Sequence, residues 1–157
     1  DIYSVLKDGR IVRISRLPLD DRETILKFFL ELDPESLRQR FLSVKTSIED
    51  YVNLISKKTG VIMGAFSNEG LVGIAEGYLS NSNEAEIAVI VKKDWRNVGL
   101  GTCLLKELLK ELRRIGVRTV KAYTSADNKP VYRIARKFGA SVLHIDWGTI
   151  MIVGKLL

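Results

Sequence analysis

A chain of 157 residues, 46% hydrophobic and 28% charged, is long enough for one buried core and has the balance of an ordinary globular domain. One Cys and one His exclude a disulfide framework and leave too few ligands for a zinc site. No apolar run approaches the roughly 20 residues that span a bilayer. The formal net charge of +6 favours an anionic partner, which nucleotide phosphates, an acidic protein face or nucleic acid could each supply. Nucleic acid ranks lowest, because no aromatic stripe interleaves with the basic residues. Few cysteines and no leader-like segment near Asp1 fit a cytoplasmic setting, with no membrane partner expected.

Arg10 to Arg16 alternates basic and apolar residues, which predicts a first strand with one wet face, ended by Pro18. Asp20 or Asp21 then caps a helix buried through Ile25, Leu26, Phe29 and Leu30. Asp33-Pro34-Glu35 restarts helix, with Leu37, Phe41 and Leu42 inward and Arg38 and Arg40 outward. Ser47 and Asp50 resemble a capping box for a third short helix through Tyr51, Val52, Leu54 and Ile55. Val61 to Ser67 and Leu71 to Leu79 read as strands joined by a tight turn at Asn68-Glu69-Gly70. A polar turn, Ser80 to Asn83, leads into Ala85 to Val91, apolar on both faces as in the middle of a covered sheet. Leu104, Leu105, Leu108, Leu109, Leu112 and Ile115 then follow helical spacing up to Gly116. Val117 to Tyr123 is a new strand, expected parallel to the Ala85 strand because a helix joins the two. Asp127-Asn128 caps a last helix from Lys129 to Phe138, and a hairpin (Ser141 to Ile145, Thr149 to Val153) closes the chain. The expectation is one α+β domain over residues 1–157, with helices on both faces of a mixed, mostly antiparallel sheet.

Between the Ala85 strand and its helix stands Arg96-x-x-Gly99-x-Gly101. A glycine-rich turn opening a helix leaves backbone N–H groups unpaired at the positive end of the helix dipole, a site for a phosphate. A dinucleotide-binding turn would need glycine where Leu104 stands, and a P-loop would need Lys where Thr102 stands, so neither fits. At this place the chain resembles the GNAT acyltransferases, and the resemblance runs from the Arg10 strand to the final hairpin. It implies the GNAT fold with a splayed central parallel strand pair, acetyl-CoA as the cofactor with CoA as product, and no metal. The pyrophosphate would lie on backbone N–H groups from Arg96, Asn97, Val98, Gly99, Leu100, Gly101 and Thr102. The pantetheine would lie along the strand through Val89, Ile90 and Val91, with Asn128 at the pantetheine or acetyl end. Asp33 to Leu42, Ala85 to Trp95 and Asn128 with Ala135 to Gly139 also look like Pat-type protein lysine acetyltransferases. That implies a lysine-containing protein as partner, either an Alba-like DNA-binding chromatin protein or an acyl-CoA synthetase. Many GNATs place a tyrosine acid where this chain has Ala135, and Tyr132, one turn earlier, cannot be assumed to substitute.

Acetyl transfer to lysine requires a group that accepts the amine's proton. If Tyr78 paired with Glu84 across the polar turn, Glu76 would lie opposite Glu86, on one face with Val72, Ile74, Ala88 and Ile90. Glu76 is therefore the expected base and Glu86 the alternative, while pairing of either with Arg38 or Arg40 is the structural reading. An unpaired backbone N–H at Val89 or Ile90 would stabilise the oxyanion. Cys103 and His144 read as ordinary packing residues. The expected activity is protein lysine Nε-acetylation. The alternatives are N-acetylation of a small amine (a polyamine, amino acid or drug) and a non-catalytic acyl-CoA sensor.

Overall fold

The computed structural model describes residues 1–41 and 47–156, so Leu42, expected on the inward face of the second helix, lies outside them. The strands are β1 (Ile2–Val5), β2 (Ile11–Arg16), β3 (Gly60–Ser67), β4 (Gly70–Leu79), β5 (Glu84–Val91), β6 (Thr119–Ser125), β7 (Ser141–His144) and β8 (Thr149–Lys155). They form one sheet in the order β1-β2-β3-β4-β5-β6-β8-β7. The helices are α1 (Arg22–Leu30), α2 (Pro34–Phe41), α3 (Ile48–Ile55), α4 (Leu100–Arg114) and α5 (Lys129–Lys137). Side-chain caps start four of them: Asp21 for α1, Asp33 for α2, Ser47 for α3 and Asn128 for α5, each accepting a backbone N–H three residues on. β1 went unread in the sequence. Its four residues are mostly exposed, so no alternation of apolar and polar positions marks it.

One face of the sheet is covered by α4, whose Leu100, Leu104, Leu108 and Leu112 are fully buried against Val61, Ala65, Val72 and Ala75. On the other face α1 and α3 bury Ile25, Phe28, Phe29, Val52 and Ile55 over Ile62, Ile74 and Tyr78. A smaller cluster joins α5, through Ala135, to Ile150 and Ile152 of β8. Among the described residues no helix is long and apolar enough to cross a membrane.

Two details of register correct the sequence reading. β4 pairs with β5 so that Glu76 lies opposite Ala88 and Tyr78 opposite Glu86, two residues away from the expected pairing of Glu76 with Glu86. The turn is longer than expected because Ser80 and Asn81 both donate N–H groups to the Glu84 carbonyl, which closes the loop at Leu79 and Ala85. A shift of two residues preserves the faces of the strand but puts Glu86 diagonal to Glu76. Second, β3 and β4 slip past one another at Ala65 and Phe66, which face Gly73 and Leu71 and leave Val72 as the extra residue. That bulge turns Val72 onto the α4 side, so it does not share a face with Ile74 and Glu76.

β5 and β6 are the parallel pair. Their pairing covers only Glu84 with Thr119, Ala85 with Val120 and Glu86 with Lys121. Beyond Glu86 the two strands part, and the opening positions the site.

Candidate active site

Where β5 and β6 part, a cleft of about 610 Å³ opens, bordered by α4 and α5 on one side and by Ser36, Gln39 and Arg40 of α2 on the other. At its α4 end Gly99 has φ 86°, a left-handed conformation that costs an L side chain roughly 1–2 kcal/mol. Asn97 adopts φ 62°, which asparagine tolerates better than most residues. Among the described residues no backbone N–H from Asn97 through Val98, Gly99, Leu100, Gly101 to Thr102 meets an acceptor, and Cys103 makes the first helical bond, to the Gly99 carbonyl at 3.1 Å. An added Cβ at Gly101 would touch nothing nearer than Ile134 Cδ1 at 3.4 Å. The space a side chain would take there is cleft, open to a ligand that approaches the backbone closely.

The same cleft is lined by Lys7, Arg133 and Lys137, none of which has an ion-pair partner among the described residues. Unpaired N–H groups beside three uncompensated cations match a pyrophosphate. These cations were missed in the sequence. Arg133 and Lys137 could have been found, since they stand four apart on a helix that carries no acid. Lys7 could not, because only tertiary contacts bring the β1–β2 turn to this loop, among them the Lys7 N–H bond to the Val98 carbonyl (3.0 Å) and the Arg10 Nη2 bond to the Asp94 carbonyl (2.9 Å).

Arg96 also lines the cleft, but its donors are engaged. Its N–H turns back to the Lys93 carbonyl at 3.4 Å, and its Nε donates to the Val91 carbonyl at 3.0 Å. Its Nη2 reaches Ser36 Oγ and, at 3.4 Å, Asp33 Oδ1. Arg96 is thus a strut from the glycine turn to the start of α2. Asn128 lines the cleft, but its carboxamide is engaged on Val131 N–H (3.4 Å) and Thr124 Oγ1 (3.0 Å).

The exposed edge of β5 has a phase. Lys92 N–H binds the Val72 carbonyl and Ser80 N–H binds the Glu84 carbonyl, both at 2.9 Å, bracketing an unbroken ladder with β4. In an antiparallel ladder alternate residues turn their N–H and C=O to the same neighbour, so Ile90 is committed to Ile74. Val89 and Val91 turn theirs to the gap. Of the two oxyanion donors considered, Val89 is the one with a free N–H.

Glu76 has no exposed surface and sits where β4 meets α2 and α3. Its Oε1 accepts from the hydroxyls of Tyr51 (2.5 Å) and Tyr78 (2.6 Å), and its Oε2 from Nε (3.2 Å) and Nη2 (2.9 Å) of Arg40. Arg40 Nη2 also donates to Tyr51 Oη. Burial, reinforced by the Glu76 charge, pushes both tyrosine hydroxyls well above their ordinary range. Burial alone would lower the Arg40 guanidinium, but the Glu76 carboxylate together with Tyr51 and Tyr78 holds the group above the usual arginine value. Glu86, by contrast, is exposed and lies outside the cleft. Tyr132 donates its hydroxyl to the Ala126 carbonyl at 3.2 Å and does not line the cleft, whereas Ala135 does.

Comparison with known proteins places this geometry. The profile of the Acetyltransferase (GNAT) family matches residues 23–140. Acetyltransferase Pat of Mycolicibacterium smegmatis is 26% identical over 142 residues, which are 83% of this chain and 41% of that protein. The chain therefore spans about two-fifths of that relative. The GNAT domain of S. lividans PAT superposes with a TM-score of 0.84 at 20% identity, covering 99% of this chain and 96% of that one. PaiA N-acetyltransferase of Thermoplasma acidophilum, solved in complex with coenzyme A, superposes with a TM-score of 0.69 at 21% identity, over 92% of this chain and 99% of that one.

Proposed function

The chain belongs to the acetyltransferase (GNAT) family, and from that premise we propose that it acetylates the side-chain amine of a lysine in another protein. Acetyl-CoA supplies the thioester, whose carbonyl carbon bonds to the amine nitrogen as the carbon–sulfur bond breaks and the sulfur leaves as CoA thiolate. The N–H groups from Asn97 to Thr102, with Lys7, Arg133 and Lys137, hold the phosphates. Val89 N–H, turned to the gap, is the donor for the developing oxyanion. Glu76 takes the proton that the amine must lose, and the exposed Glu86 has no part.

The observation that carries this reading is a buried carboxylate behind the acceptor side of the same gap whose far end presents a phosphate-binding turn. A protein acceptor is supported by the resemblance to Pat-type sequences and by the Pat relative, and the acceptor classes it points to are an Alba-like chromatin protein and an acyl-CoA synthetase. Incubation with labelled acetyl-CoA and host lysate, followed by mass spectrometry, tests it. Labelled lysines on a small set of proteins are expected. Label confined to small amines would replace the reading with small-molecule N-acetylation. CoA binding without transfer to any amine would replace it with an acyl-CoA sensor.

A further inference from the structure

Around Glu76 the three partners are not equivalent. Tyr78 belongs to the same strand and is buried, and Tyr51 belongs to α3, packed edge-on against Phe29 (ring centroids 5.6 Å apart) and Phe41 (4.8 Å). Both hydroxyls are held by the core. Arg40 is on the last turn of α2, its side chain is 15% exposed, and it alone of the three lines the cleft. The residue opposite Glu76 on β5 is Ala88, whose methyl leaves the approach from the gap to be filled by the guanidinium.

Arg40 also binds in the weaker of its two possible modes. A guanidinium grips a carboxylate best with two parallel N–H bonds to two oxygens. Here both N–H groups converge on Oε2, because Oε1 is taken by the tyrosines. A cation is required at that place, since a buried carboxylate left without one is strongly disfavoured. Nothing in the geometry requires that the cation be Arg40.

We propose that Glu76 with the Tyr51 and Tyr78 hydroxyls forms the seat for the acceptor's alkylammonium, and that Arg40 is a resident cation that the acceptor displaces. The proposal rests on the reading of Glu76 as proton acceptor and adds how that carboxylate becomes available. Exchange of guanidinium for ammonium keeps one positive charge on the buried carboxylate throughout, so neither state leaves it unpaired. The arriving ammonium then passes one proton to Oε2, leaving a neutral amine beside the gap; the second proton, shed as the nitrogen bonds to the carbonyl carbon, goes to the departing CoA thiolate, and Glu76 later returns the first to solvent. The seat discriminates by charge: an alcohol cannot displace Arg40, because it brings no cation. Phe41 and Tyr51, whose rings lie 4.9 and 5.1 Å from the guanidinium carbon, offer the entering ammonium aromatic faces as well.

The test uses the unaltered chain labelled with 15N-arginine. The Arg40 Nε–H resonance is assigned by its absence in Arg40→Lys, and its exchange with solvent is measured. The probe is a conjugate in which two carbons join the CoA sulfur to the side-chain nitrogen of Nα-acetyl-lysine amide, so that the nitrogen stays a charged secondary ammonium. With CoA alone Arg40 Nε–H stays protected. With the conjugate its exchange is expected to rise about tenfold or more, as for a group released from a closed state. A conjugate that competes with CoA and leaves Arg40 protected overturns the proposal. So does a conjugate that cannot compete, since seat and cleft would then not communicate. Failure of CoA itself to bind would instead remove the acyl-CoA reading beneath it. Kinetics give an independent readout. Arg40→Lys, with its shorter and more mobile cation, should lower the KM for amine acceptors severalfold as the resident competitor weakens, with the KM for acetyl-CoA unchanged. A raised acceptor KM in the folded variant overturns the proposal.

Discussion

At the α4 end of the cleft the groups proposed to bind are chiefly backbone N–H groups, set by a turn of six residues and one helix start, with Lys7, Arg133 and Lys137 beside them. At the α2 end every group is a side chain, drawn from α2, α3 and β4, with Arg40 and Glu76 standing 36 residues apart. The first arrangement depends on dihedral angles and on what is absent, namely side chains at Gly99 and Gly101. The second depends on a register, a bulge and three packed elements arriving together. An anion needs many weak donors and tolerates variation around them, whereas a proton-transfer site needs one carboxylate with every neighbour in place.

The difference can be broken at either end, and the largest effect is expected at the carboxylate. Glu76→Gln keeps the shape and removes the charge, so kcat should fall about 10²–10⁴-fold while acetyl-CoA binding, read by calorimetry, is unchanged. Glu86→Gln should leave both untouched, and equal losses in the two variants would return the base assignment to the pair. Gly101→Val attacks the other end: its side chain would fill space meant for the ligand and weaken CoA by about 100-fold. Its melting temperature should hold or rise, because glycine is a poor helix former. A folded Gly101→Val that binds CoA normally would separate the turn from the phosphate.

Smaller effects sharpen the contrast. Tyr78→Phe deletes one hydrogen bond to the buried carboxylate and should cost about 1.5–3 kcal/mol in denaturant unfolding. The same network makes stability depend on alkaline pH. The Tyr51 and Tyr78 hydroxyls titrate higher in the folded chain than their unfolded value of 10.0, so their contribution is intact below that pH. As pH rises past it, the unfolded chain releases protons that the folded chain retains, and stability falls. Tyr78→Phe should flatten that decline between pH 9 and 11, and an unchanged slope would deny the coupling. Lys137→Ala, at the phosphate end, should weaken CoA only a few-fold, and less so at high salt.

Much of the phosphate end was legible because its information is local. The order Ile87 to Val91, then Arg96, Gly99 and Gly101, then the leucine stripe of α4 states a strand, a turn and a helix within thirty consecutive residues. The Arg96 guanidinium was not legible, because Asp33 and Ser36, which hold it, are sixty residues away in sequence. Glu76 could be singled out as an acid interrupting a small and apolar strand, but its company could not. A two-residue error in one turn paired it with Glu86, and no local pattern announces that Val72 is a bulge.

By itself the sequence carried the resemblance to the family, the strand–turn–helix read as a phosphate site, and two candidate acids, of which Glu76 interrupts an otherwise small and apolar strand. The resemblance rests on the motif from Arg96 to Gly101 and its surroundings, and the other two on periodicity, on a glycine-rich turn opening a helix and on the free energy of burying a charge, all of which act within a few residues. Only the tertiary structure decided that Glu76 meets Arg40, Tyr51 and Tyr78 rather than Glu86, and that Val89 rather than Ile90 faces the gap. Register and packing between distant segments set those contacts, and hydrogen-bond phase along a strand is defined only once its neighbour is in place.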